Sequence, residues 1–159
     1  MNLLYTFEQA IVRHGAETLA GLKPASLLCW KADEGEIEKI LAYGDREYQR
    51  FDVHFCLLGK CGNAHRILIY RAHLLTKWIL RPDVSHALHS LGYRYANDNP
   101  PVQTTVKTSV TCTATKKEEF LTYLLFQLQE RIRRSPSLPD EIGLFLGYPV
   151  KDVLRFMED

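Results

Sequence analysis

The stretch Phe51 to Tyr70, FDVHFCLLGKCGNAHRILIY, constrains this chain more than any other, because it reads as two strands folded back on each other. Phe51, Val53, Phe55 and Leu57 alternate with Asp52, His54 and Cys56, which is the period of a strand with one buried face. Gly59, Gly62 and Asn63 then supply turn geometry, and the apolar run Ile67 to Tyr70 is the returning strand. An earlier apolar run, SLLCW after Pro24, gives a third strand. The expected core is therefore a small mixed or antiparallel sheet from residues near 25–30, 51–58 and 65–71, with 102–113 as a further candidate strand.

The remaining segments read mostly as helices. Leu4, Phe7, Ile11 and Leu19 have helical spacing, and Gly21 stands where a C-terminal cap belongs, so a first helix should end near Ala20. DEGEIEKILAYG places acids in a first turn and Gly44 at its end. Two further helices run from Ala72 to Leu80 and from Asp83 to Leu91, the second opened by Pro82 and closed by Gly92. They should cover one face of the sheet. EEFLTYLLFQLQERIRR carries Phe120, Leu124, Leu125 and Leu128 on one stripe and arginines at its end. Residues 97–115, rich in Asn, Pro, Thr and Val, break this pattern and read as an inserted edge strand or a long loop.

The closing segment, within a helical region spanning 117–159, reads as a helix-turn-helix hairpin. Gly143 marks a close crossing and Gly147 the turn, with Ile142, Leu146, Val153 and Phe156 facing inward. Its second helix, PVKDVLRFMED, has two bases against three acids, and the chain's formal charge of +1 provides no global field for nucleic acid. A packing unit is the expectation, and DNA readout the lesser alternative.

At 159 residues the chain fits a single α+β domain able to bury a real core. Cys29, Cys56, Cys61 and Cys112 are irregularly spaced and follow no secretory h-region, which points to a reduced, cytoplasmic protein. No apolar run approaches the roughly 18 residues of a membrane helix.

The ending LPDEIGLFLGYPVKDVLRFMED resembles that of a bacterial family, domain of unknown function 3793, found mainly in clostridia and other anaerobic Firmicutes. Similar correspondences are HGAETLAGLKPASLL from His14, ILIYRAHLL, and the LGY at 91–93. Gly15 stands where that family often has Cys, Asp140 where it has His, and relatives are expected to continue past Asp159 through a Gly-Tyr-Trp-Lys-Val-Tyr-like tail. The resemblance implies an accessory role, with an association to flavodoxins and ferrous-iron uptake.

Candidate chemistry is sparse. His14 and Lys23 flank the first helix end, where an imidazole and an ammonium would meet one anion. Arg71 ends a central strand, either facing ligand or pairing with Glu141 to pin the C-terminal helices, and Tyr148 lies in the hairpin turn. His54, Cys56, Cys61 and His65 surround the strand turn and form an alternative set for a transition metal or haem, without the tight spacing of strong zinc sites. His73, His86 and His89 read as helix-surface residues. No phosphate loop, triad or paired-carboxylate pattern is present, so nothing positive argues for an enzyme. The leading expectation is a cytoplasmic binding or accessory protein, non-catalytic and without a cofactor, recognising a protein partner or small anionic ligand at His14, Lys23, Arg71, Glu141 and Tyr148.

Overall fold

The computed structural model describes residues 2–95, 116–135 and 137–159; the candidate strand at 102–113 and Cys112 lie outside them. The order is α1 (Leu3–Leu19), β1 (Ala25–Lys31), α2 (Glu34–Tyr48), β2 (Val53–Cys61), β3 (Ala64–Arg71), α3 (Ala72–Ile79), α4 (Pro82–Ser90), α5 (Lys116–Arg134), α6 (Ile142–Phe145) and α7 (Val150–Glu158). The fold is α+β. Among the described residues three strands form one antiparallel sheet in the order β1-β3-β2.

β3 is central, and Ile67, Leu68 and Ile69 are completely buried because both faces of the sheet are covered. Ile67 and Ile69 face Phe7 and Ile11 of α1 and Ile37 and Ile40 of α2. Leu68 faces the other layer, with Leu75, Ile79, Leu124, Leu128 and Phe145. The helix α3 covers that sheet face as its apolar periodicity requires, together with α5, which meets β2, whereas α4, expected on the same face, packs instead on α3 and α7.

Local chemistry sets the element ends. Asp33 and Glu36 form a reciprocal capping box on α2, with Glu36 N–H donating to Asp33 at 2.8 Å and Asp33 N–H to Glu36 at 3.2 Å. Gly44 does not end this helix. It lies inside α2, where a Cβ would stand 2.8 Å from the Phe55 ring, so the glycine is there to let β2 approach. Phe51 is likewise not in the strand but in a short 3-10 turn, and is half exposed. The hairpin turn is Gly62-Asn63 alone; Gly59 belongs to β2, where the register slips between Leu57 and Gly59 and makes a bulge.

The closing hairpin is shorter than a DNA-reading motif, since α6 has only four residues. Gly143 does mark a close crossing, because a Cβ there would lie 2.9 Å from Val153. Val153 is buried, as expected. Phe156 is not: it is 68% exposed, because it faces away from α6 on the outer side of α7. Among the described residues no helix is long and apolar enough to cross a membrane.

Candidate functional site

Two turns distant in sequence meet at one end of the molecule. The first leaves α1, with Leu22 N–H donating to Glu17 C=O at 2.9 Å and Gly21 at φ +76°. The second joins α6 to α7 through Gly147 at φ +86°, and a Cβ there would lie 2.5 Å from Pro24. Only glycine permits both that backbone and that contact. The lock on Pro24 puts Lys23 over the Tyr148 ring, Nζ 5.1 Å from the centroid and 4.0 Å from a Glu17 carboxylate oxygen. Leu22 is 82% and Tyr148 50% exposed, and Pro149 beside them is also exposed. His14, one turn before Glu17 on α1, is exposed too. Lys23 and Tyr148 therefore share a surface around these turns, with His14 further back along α1.

The other two candidates serve the interior. Arg71 spends its guanidinium on backbone carbonyls: Nε donates to Thr18 at 2.7 Å, one terminal nitrogen to Leu19 and the other to Phe51 at 3.1 Å. It closes the C-terminus of α1, whose last carbonyls have no helical partner. The alternative pairing of Arg71 with Glu141 is replaced by Arg131. The Arg131 guanidinium donates to Glu141 at 3.3 Å and to Leu91 C=O at 2.6 Å, and lies 3.9 Å from the centroid of the Tyr93 ring. The Tyr93 hydroxyl donates to the same Glu141 oxygen at 3.2 Å, and burial, then Glu141, push that phenol up. Arg133 and Arg134 are engaged by Glu130, at 2.7 and 3.7 Å. The Arg133 hydrogen bond holds the Glu130 carboxyl below its ordinary range.

The metal-capable set divides between the two sheet faces. His54 and Cys56 share the face toward α5, as strand alternation requires. His54 stacks on Tyr70 at 5.4 Å and its Nε2 is 3.1 Å from Asp52. The Cys56 sulfur accepts from Gln129 at 3.3 Å, and burial pushes its thiol up to about 12, so the thiolate that a metal or electrophile needs is disfavoured. His65 lies on the opposite face, with Nε2 3.0 Å from Ala32 C=O and Nδ1 buried without a partner, as is Trp30 Nε1 across the ladder. Cys61 is exposed beside the hairpin turn. Among the described residues no three His, Cys, Asp or Glu side chains are arranged to hold a metal ion.

Asp52 is the residue that sequence reasoning missed. At φ +57° it holds His54 with one carboxylate oxygen and the His73 N–H, at the start of α3, with the other at 2.9 Å. Its place two residues before His54 was visible, whereas its left-handed backbone was not. An open depression on α1, lined by Tyr5, Glu8, Gln9, Val12 and Arg13, adds no free acid, because Tyr43 and Tyr48 both donate to Glu8.

Fold and surface together define an α+β protein with an antiparallel sheet between two helical layers and an exposed Tyr148 ring over a partly buried Lys23 where two turns meet. Residues 11–159 match the model of a family described as Protein of unknown function (DUF3793), and the chain belongs to that family. No curated protein and no solved structure matches it. Gly15, where the resemblance expects Cys, is buried with its Cα hydrogen toward Ile69, and a Cβ there would lie 3.1 Å from that side chain.

Proposed function

We propose that this chain is a non-catalytic accessory protein that binds a protein partner through Leu22, Lys23, Tyr148 and Pro149, with His14 at the margin. One observation carries the reading: the contact of Gly147 with Pro24 fixes two turns rigidly and leaves Leu22 and Tyr148 exposed on either side of Lys23. An exposed aromatic side chain beside a partly buried, ring-stacked lysine on a rigid support is the kind of anchor that protein interfaces use, since little entropy is lost when it is covered. A small anion is the weaker occupant. Lys23 already has Glu17 within 4.0 Å, and Arg71 has given its donors to three carbonyls.

The test is site-specific photo-crosslinking in the native host, with the reactive side chain placed at Leu22 or, as a control, at the exposed Lys39 of α2. The expected result is one discrete adduct from position 22, absent from position 39 and lost when Tyr148 is changed to Ala. Equal adducts from both positions, or none from position 22, would sink the reading.

A further inference from the structure

The two outer strands of the sheet are finished differently. Arg71 N–H donates to Pro24 C=O at 3.1 Å, which fixes the phase of the β1/β3 ladder. With Ala25 opposite Tyr70, the bonded pairs are then Ser26/Ile69, Leu28/Ile67 and Trp30/His65. Ala25, Leu27, Cys29 and Lys31 therefore turn their N–H and C=O groups away from β3. By the same phase, Val53, Phe55 and Leu57 of β2 point outward at the other edge.

That second edge is capped. Gln129 of α5 donates to Leu57 C=O at 2.7 Å, and the Asp45 carboxylate of α2 meets the Phe55 N–H. No corresponding side chain reaches the outward groups of Leu27, Cys29 or Lys31 among the described residues. Ala25 is buried, Leu27 is partly exposed, and Cys29 and Lys31 are exposed. The bare part of the edge is thus Leu27–Lys31, which matches an added strand of about five residues.

The charges beside this edge select its occupant. Lys31 lies on it, and Arg66 stands directly opposite Cys29 on β3. Neither has an acidic partner among the described residues, while the acids nearest in sequence are engaged: Asp33 and Glu36 in the capping box, Glu34 by Lys60. A second copy paired antiparallel about Cys29 would set Leu27 opposite Lys31 and would offer no acidic side chain to Lys31 or Arg66.

We infer that the free edge of β1, from Leu27 to Lys31, is a docking site for an extended acidic segment of another protein, which adds to the sheet as a fourth strand. This goes beyond the surface at Lys23 and Tyr148 and is carried by a different edge of the molecule. Backbone hydrogen bonds give the attachment, and Lys31 and Arg66 give the preference for Glu or Asp on the side chains facing them.

The probe is a fluorescent peptide of about seven residues alternating Glu and Val, compared with the Lys and Val peptide of equal length. On the full chain the acidic peptide should bind at least about tenfold more tightly, and should slow hydrogen exchange at Leu27, Cys29 and Lys31. Cys29→Pro removes an outward N–H that the fold does not use, and should abolish binding. Lys31→Glu with Arg66→Glu keeps the backbone and should reverse the peptide preference, which covers the case in which the proline variant fails to fold. Tyr148→Ala should leave peptide affinity unchanged, so that loss of the crosslink at position 22 and loss of the peptide are separate failures. Equal binding of both peptides, failure of the acidic peptide to bind, protection elsewhere, or a self-association that Cys29→Pro breaks would each overturn the inference.

Discussion

The two helical layers cover the same sheet by different means. On the α1/α2 side the contacts with the sheet are chiefly apolar and aromatic: Phe7 meets Trp30 edge-on at 5.6 Å and Phe55 at 5.8 Å, with Ile11, Ile37 and Ile40 filling the rest. On the other side α3 to α7 also bury leucines, but specific polar contacts tie the segments together. Arg131 joins Glu141 to Leu91, Trp78 Nε1 donates to Leu144 C=O at 2.6 Å, and Gln127 bonds both N–H and C=O of Arg94 at 2.7 Å. The first layer meets the sheet mainly by shape, with Glu8 and Arg71 adding polar ties, and the second relies more on pairing of groups that would be costly to bury alone.

The largest expected effect tests the apolar layer. Phe7→Ala should cost about 4 kcal/mol, the usual range for an aromatic removed from a core, and equilibrium denaturation should show it as loss of the whole fold. Next comes the polar layer. Glu141→Ala leaves the buried Tyr93 hydroxyl without its acceptor and the partly solvated Arg131 guanidinium with Leu91 C=O alone; a cost of about 2 kcal/mol is expected. Hydrogen exchange should rise first in α6 and α7 while α1 and α2 stay protected. Equal loosening of both layers would remove the distinction.

Alkaline titration sharpens the comparison with a smaller effect. Burial raises the Cys56 thiol from 9.0 to about 12, so the native state favours the protonated form. Its contribution is complete below pH 9 and is lost as pH rises from 9 toward 12. Tyr70 beside it is raised for the same reason. Chemical denaturation between pH 8 and 11 should show a decline that Cys56→Ala makes shallower. The smallest effect is expected at Phe156→Ser, within about 0.5 kcal/mol, because the ring is mostly in water.

The same contrast explains what the sequence disclosed. Periodicity revealed α1, the strands and the stripe of α5, because burial on one face imposes a period on the residues themselves. It misplaced the end of α2, since Gly44 serves a ring 11 positions away rather than a helix cap. Phe156 was assigned inward from its spacing to Val153, but α6 is one turn long and has no surface for it. Of the candidate site, Lys23 and Tyr148 are brought together, while the tasks of Arg71 and Glu141 depend on carbonyls and partners that no local pattern announces. The bare β1 edge was equally hidden, because it follows from the phase of a ladder.

The order β1-β3-β2 also sets a timetable for folding. β2 and β3 join across two residues, Gly62 and Asn63, whereas β1 reaches β3 only after the chain from Lys31 to Ala64 has closed, α2 included. Closing the longer loop costs more entropy before any contact repays it. The hairpin therefore belongs to the nucleus, and β1 arrives on a surface already made. Substitutions in the hairpin should slow refolding, whereas those in β1 should mainly hasten unfolding. The strand with the open edge is then the one that detaches at least kinetic cost.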